Sequence, residues 1–258
     1  LIDIHSHILP GVDDGAQTIE ESIAMAEAAV ADGIDTIIAT PHHKNGVYDN
    51  FKYNIKIQVA ELNRTFQERG IELHVLPGQE TRIYGEMVEG INQDEILMLN
   101  EHTSYMFVEF PSDSVPRYAS QLFFDLQVAG VQPIIVHPER NKQLIEHPDQ
   151  LYSFVKQGAF CQLTAASITG QFGKKIKKFS EQLIEANLAH LIASDAHNIT
   201  SRGFCMTDAY AEIRKQYGLD MVYLLSENAE DVVAGNMLAA EPPEHIRKKK
   251  KLFGIFGS

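Results

Sequence analysis

Seven apolar runs, each bounded by turn residues and separated by amphipathic stretches of helical period, constrain this chain more than any other feature. They occupy residues 1–5, 35–40, 72–76, 105–110, 133–137, 159–163 and 188–193. Helical patterns lie between them at 18–31, 51–67, 119–129, 143–156 and 175–186, several closing at Gly33, Gly70, Gly130 or Gly158 as helix ends often do. Runs this short and apolar read as buried strands, and strand–helix alternation over the whole length predicts a parallel sheet. An open doubly wound sheet and a closed barrel both satisfy that alternation. A chain of 258 residues buries roughly three-quarters of its unfolded surface, enough for a core without disulfides or a structural metal.

The polar residues discriminate between the two folds. His, Asp and Glu collect just past the carboxyl ends of the strands: His5-Ser6-His7 and Asp13-Asp14-Gly15 after the first, Pro41-His42-His43 after the second, Gly78-Gln79-Glu80 after the third. The fourth ends at Glu109, the fifth at His137-Pro138-Glu139-Arg140, and the seventh at Ser194-Asp195-Ala196-His197. In a parallel barrel these ends converge on one face, so residues from position 5 to 197 meet in one pocket, whereas an open sheet spreads them out. The chemistry therefore favours the barrel.

His-x-His and Asp-x-His put alternate side chains on one side of an extended chain, where both donors reach one ion. Imidazole and carboxylate without thiolate suit manganese, iron or zinc. Nine candidates, His5, His7, Asp14, His42, Glu80, Glu109, His137, Asp195 and His197, exceed what one ion takes, which implies two or three divalent ions with a bridging carboxylate. Singly, each is an ordinary strand end or helix cap. As a set at six strand ends they point to metal.

The run Ile2-Asp3-Ile4-His5-Ser6-His7, the isolated His42, Glu80, His137 and Asp195-Ala196-His197 resemble the motifs of the polymerase and histidinol phosphatase (PHP) superfamily. More narrowly, Val12-Asp13-Asp14-Gly15, His137-Pro138-Glu139-Arg140 and Ala193-Ser194-Asp195-Ala196-His197-Asn198, followed by Arg202, look like the manganese-dependent protein tyrosine phosphatases of bacterial capsule and exopolysaccharide operons, the CpsB/CapC/YwqE group. The resemblance covers residues 1–236 and implies a distorted seven-stranded β/α barrel, TIM-like; composition makes 1–240 one domain, with a basic and hydrophobic tail at 241–258. It also implies a first ion on His5, His7, Glu80 and Asp195, a second on Glu80, Glu109 and His137, and a third on Asp14, His42 and His197. Positions like Asp14 and Glu109 are often His in the wider superfamily, and carboxylates there favour manganese or iron over zinc.

Clustered divalent ions acidify a shared water and clamp phosphoryl oxygens, so hydroxide attacks phosphorus without a protein nucleophile. The cysteine route needs Cys followed six positions later by Arg, but Cys161 meets Ser167 and Cys205 meets Ala211. Arg140 and Arg202 are the natural phosphate clamps, against the alternative of structural ion pairs. A phenol, with pKa about 10, departs more readily than an alkoxide, so phosphotyrosine hydrolysis depends less on a strong general acid, for which Asp195, His197 or a metal-bound water are the candidates. His43, next to His42, points away from the same ion in an extended chain, while His74, His102, His147, His190 and His245 read as structural. Tyr48, Phe51, Phe110 and Tyr118 could shape an aromatic pocket, although core packing is the usual role of such residues.

Lys+Arg 22 against Asp+Glu 35 leaves a formal charge of -13, which argues against nucleic acid as partner and requires local positive charge for any acidic substrate. The two unpaired cysteines and a first residue that enters a strand directly, with no room for a signal peptide, fit a cytoplasmic protein. Residues 247–251 read Arg-Lys-Lys-Lys-Lys, and without them 17 basic residues face 35 acids for a net of -18. This run, with the apolar residues up to 256, resembles an anchor for peripheral contact with the inner face of the membrane. The expected substrate is a tyrosine-phosphorylated bacterial kinase. A small phosphomonoester such as histidinol phosphate is the second enzymatic reading, and a non-catalytic metal-binding regulatory module the third.

Overall fold

All seven expected strands form in the computed structural model, which describes residues 1–246; the expected membrane-contact segment 247–256 lies outside the described residues. In chain order the elements are β1 (Ile2–Ser6), α1 (Ile19–Ala31), β2 (Thr36–Ala39), β3 (His42–His43), α2 (Lys52–Arg69), β4 (His74–Pro77), β5 (Glu80–Arg82) and α3 (Met87–Asn92). They continue as β6 (Tyr105–Glu109), α4 (Ala119–Val128), β7 (Gln132–Val136), α5 (Lys142–Glu146), α6 (Asp149–Lys156), β8 (Phe160–Thr164) and α7 (Ala165–Thr169). The last are α8 (Lys174–Glu185), β9 (Leu191–Ala193), α9 (Met206–Tyr217) and α10 (Leu219–Ala234). A short 3-10 turn, Pro138–Arg140, follows β7.

Every ladder between these strands is parallel, as the alternation requires. Nine strands replace the expected seven among the described residues because two of them are interrupted. Pro41 has no N–H to give the ladder and separates β2 from β3. Gly78 and Gln79 separate β4 from β5, and a Cβ on Gly78 would lie 2.5 Å from Ile38 Cγ2. The ladders therefore fall into two sheets, β1-β2-β4 and β3-β5-β6-β7-β8-β9, rather than one closed ring of seven. At one junction the chain just past β9 bonds to β1: Asp195 N donates to His5 O and His7 N donates to Ala196 O, both at 2.9 Å. Beyond the second break, His42 of β3 is register partner to Glu80 of β5.

The strands are buried on both faces. Ile37, Ala39, Met106, Val108, Ile135, Cys161 and Ile192 pack against the helices. The alternate positions Ile4, Ile38, Phe107, Ile134, Val136, Leu191 and Ala193 pack on one another and are closed by Ala229 and Val232 of α10 and by Leu238. Each Val, Leu, Ile, Met or Phe among them contributes on the order of 1.5–3 kcal/mol by leaving water. Thr18 starts α1 by accepting a hydrogen bond from Glu21 N, and Gly70, at φ 67°, ends α2. The expected helix over 143–156 is broken into α5 and α6, because Pro148 drives His147 out of helical geometry (φ -128°, ψ 64°). The alternation does not predict α9 and α10, which follow one another with no strand between, nor the short α3 and α7.

The β1–α1 loop folds back onto the strand it leaves: Ala16 N donates to His7 O at 3.1 Å, and Gly15 N to Asp13 Oδ1 at 2.9 Å. A Cβ on Gly15 would lie 2.1 Å from His7 O and 2.5 Å from His7 Cβ. Gly15→Ala is expected to destabilise the protein by about 1–3 kcal/mol and lower Tm by several degrees in a thermal melt. Gly85→Ala, with nothing near its Cβ, should leave Tm within about a degree or two of wild type. Equal melting of the two variants would contradict this packing.

Candidate metal centre

The nine sequence-predicted donors come together at the carboxyl ends of the strands. His5 lies in β1 and His7 just beyond it; His42 is in β3, Glu80 in β5 and Glu109 at the end of β6. His137 and Asp195, immediately past β7 and near the end of β9, both hold left-handed backbones, at φ 35° and 52°. Such strain in residues with side chains is uncommon and concentrates at functional sites.

Three groups of donor atoms gather within 4.8 Å of one another: His5, His7 and Glu80; His42, Glu80 and Glu109; and His7, Asp14, His42 and His197. Glu80 is shared by two of them and is fully buried. Its Oε2 lies 3.5 Å from His5 Nε2, 3.4 Å from His7 Nε2 and 2.8 Å from His42 Nδ1, and its Oε1 lies 2.9 Å from His137 Nε2. Asp195 Oδ1 stands 3.5 and 3.4 Å from the same His5 and His7 nitrogens. Asp14, half-exposed at the rim, places Oδ1 3.4 Å from His42 Nε2 and 3.5 Å from His197 Nε2. His137 thus reaches Glu80 directly, while His42 stands closest to the Glu80–Glu109 pair.

The histidines are held with one nitrogen occupied and the other presented. His5 Nδ1 is 2.9 Å from Gln162 Oε1, His7 Nδ1 is 2.7 Å from Asp13 Oδ2, and His197 Nδ1 is 3.0 Å from the Asp195 carbonyl. Each partner only accepts, so each Nδ1 carries a proton and each Nε2 is aimed at the centre. Those three Nε2 atoms, His42 Nδ1 and Glu80 Oε2 are buried without a hydrogen-bond partner. Buried imidazole nitrogens and a carboxylate oxygen aimed at one another cost free energy unless positive charge, as protons or as a cation, lies among them. The residues fit a cluster of divalent ions.

A family model described as capsular polysaccharide synthesis, CpsB/CapC, matches residues 1–234. The chain belongs to the CpsB/CapC family. It is 49% identical to tyrosine-protein phosphatase YwqE of Bacillus subtilis, over 99% of this chain and 100% of that protein. It is 30% identical to tyrosine-protein phosphatase CpsB of Streptococcus pneumoniae, over 84% and 91% of the two chains. A crystal structure from work on YwqE and CpsB, described as unique metal-dependent tyrosine phosphatases, superposes with a TM-score of 0.94 at 48% identity, covering 96% of this chain and all of that one. A lactonase from Listeria monocytogenes, at 13% identity and a TM-score of 0.52, shares the fold alone.

In this CpsB/CapC member both candidate clamp arginines hold Asp195 Oδ2: Arg140 through Nη1, and Arg202 through Nη2 at 2.9 Å. The ion pairs weighed for these residues are therefore present, and each guanidinium keeps further N–H groups beyond that bond. Burial pushes the Asp195 carboxyl upward, but Arg140 and then His5 outweigh it and hold the group well below the usual carboxylate range. Burial brings His197 and His137 down to about 4, helped by the charges of His7 and Arg140 respectively. Burial also opposes charge on His42, yet Glu80 and Asp14 raise it to about 10.

Sequence reasoning missed Gln162 and Arg82, which grips Glu109 with two hydrogen bonds of 2.9 Å, and left Asp13 without a role. Gln162 carries the one available signal, a polar side chain inside an apolar strand. His43 points away from the centre as alternation predicts, with its ring edge-on to Phe51. Tyr48 stacks on His42 at 6.3 Å between centroids and 8° between planes, Phe110 is core, and Tyr118 donates to Ile83 O.

A cation must displace the proton that His42, with its pKa at about 10, carries at neutral pH. Apparent metal affinity is therefore expected to rise with pH between 6 and 8, by up to about tenfold per unit for each proton displaced. Titration calorimetry with Mn2+ at several pH values checks this. A flat profile would remove His42 from the ligand set.

Proposed function

We propose that this protein is a metal-dependent protein-tyrosine phosphatase that hydrolyses phosphotyrosine on a bacterial tyrosine kinase controlling capsule or exopolysaccharide synthesis. The observation that carries the reading is the cluster of buried, unpartnered imidazole and carboxylate atoms around Glu80, in a chain 49% identical to a protein named tyrosine-protein phosphatase. His5, His7, Glu80 and Asp195 would hold one ion, Glu80, Glu109 and His137 a second with His42 beside them, and Asp14, His42 and His197 a third, with manganese preferred over iron or zinc by the carboxylate share. Bound there, divalent ions supply a water acidified for attack and neutralise phosphoryl charge.

The chain's own residues do the rest. Arg140 and Arg202 face the centre from the 3-10 turn and from the loop after β9, and their remaining N–H groups bind phosphoryl oxygens. Gln162 and Asp13 hold the Nδ1 protons of His5 and His7, so Nε2 of each is the atom that would bind an ion. Asp195, ionised, and His197, neutral, act as donors to the ions. A phenolate leaving group needs little help from an acid.

The barrel reading is part of the proposal. Counting β2–β3 and β4–β5 as two interrupted strands makes seven, and the bonds from β1 to Asp195 and Ala196 support a distorted ring. The catalytic domain spans 1–240. We place the protein in the cytoplasm, consistent with two free thiols, and no helix among the described residues is long and apolar enough to cross a membrane. Residues 247–256 make peripheral membrane contact, so deleting 247–258 is expected to abolish sedimentation with anionic vesicles and to spare aryl phosphate turnover; unchanged sedimentation removes that contact.

The deciding experiment strips the metal, adds back Mn2+, Zn2+ or Mg2+, and compares a phosphotyrosine peptide with histidinol phosphate. Preference for the peptide with Mn2+ is expected, and Arg140→Ala should lower its turnover by about 100-fold or more with metal content near wild type. Preference for histidinol phosphate would overturn the substrate, and metal binding without turnover would overturn the enzyme.

A further inference from the structure

We infer that the lysines on the first turns of α8 bind a carboxylate-rich stretch of the substrate polypeptide flanking the phosphotyrosine. The inference rests on the phosphatase reading and deepens it.

Position comes first. α8 follows β8 and α7, so its first turn lies at the carboxyl end of the sheet, where the donors converge. Phe172, two residues before α8, sets its ring 5.3 Å from Cζ of Arg140, and the turn carrying Arg140 packs against α8. The lysines thus stand beside a residue proposed to hold the phosphate.

Charge comes second. Lys174, Lys175, Lys177 and Lys178 put four cations into five residues of a chain whose formal charge is -13. Lys177 pairs with Glu212 at 3.3 Å and Lys178 lines a groove with Glu181, Glu185 and Glu244; Lys174 and Lys175 are exposed and form no ion pair among the described residues. By contrast, Lys44, Lys52 and Lys56 are each spent on a carboxylate. The α8 lysines do not serve their own helix either. Cations at a helix N-terminus oppose its dipole, and Glu181 and Glu185, in the second half of α8, oppose it again. The charge of Lys174 and Lys175 is left for something outside the chain.

The class of ligand follows from the field. An acidic polypeptide approaching this molecule is repelled overall, and screening confines attraction to about 10 Å at moderate salt. An extended peptide advances about 3.3 Å per residue, so the lysines reach carboxylates within a few residues of the phosphotyrosine.

The test compares wild type with the triple variant K174E/K175E/K178E. Fluorescence anisotropy reads binding of two phosphotyrosine peptides, one flanked by glutamates and one by glutamines, and steady-state kinetics reads their hydrolysis. Wild type is expected to bind the glutamate peptide at least about tenfold tighter at low salt, with the preference erased by 0.5 M NaCl; the variant should lose it. Para-nitrophenyl phosphate turnover should stay within about twofold, which also shows that the variant folds. Equal binding of both peptides by wild type, or an unchanged preference in the variant, overturns the inference. Loss of binding to phosphatidylserine vesicles with peptide preference intact assigns the lysines to lipid and overturns it too. If the glutamate peptide binds through the lysines but no peptide is hydrolysed, the inference stands as a binding site and the phosphatase reading is what fails.

Discussion

Glu80 is fully buried, and among the described residues its two oxygens pair with four imidazoles and with no guanidinium or ammonium group. A carboxylate at that depth is costly unless positive charge is brought to it. In the protein alone that charge comes from protons, which is why His42 is raised so far despite its burial. Divalent ions supply the same charge without protonating the donors that must hold them. The centre is thus built as a deficit of positive charge, and the surrounding structure keeps the deficit from collapsing.

Three devices maintain it. Nδ1 partners lock the tautomers of His5, His7 and His197, so the free lone pairs cannot rotate into hydrogen bonds elsewhere. Arg82 holds Glu109, and Arg140 and Arg202 hold Asp195, each by an outer oxygen or by both oxygens in a fork, restraining carboxylates that would otherwise repel Glu80. Asp3, buried beneath the site, accepts from Ser194 N and Oγ and from His5 N, tying β1 to the loop that carries Asp195. The interruptions at Pro41 and Gly78 belong to the same design, since the offset strands beyond them put His42 opposite Glu80.

Outside the centre the charge is arranged differently. Most of the acidic excess is on the surface, where it repels anions, whereas the proposed substrate contacts, Arg140, Arg202 and the first turns of α8, are cationic. On the proposed reading a phosphorylated polypeptide is admitted on that side of the molecule. On that reading the field would select where the substrate lands and bound ions would act on the phosphoryl group, so the two tasks would fall to separate residues.

The sequence by itself determined the seven apolar strands, their parallel sense and the nine polar side chains that gather at the carboxyl rim, because strand burial, helical period and turn residues are local signals. Donors at strand ends are legible for the same reason: a polar residue ending an apolar run marks the carboxyl rim. Only the tertiary structure decided which atoms meet. Gln162 reaches His5 across 157 positions and Arg140 reaches Asp195 across 55, and no periodicity records such pairs. It also decided that His42 stands beside Glu109, that the arginines rest on Asp195, and that the sheet divides at Pro41 and Gly78. Those outcomes depend on how separate strands are offset and packed, which the chain acquires only when its core is buried.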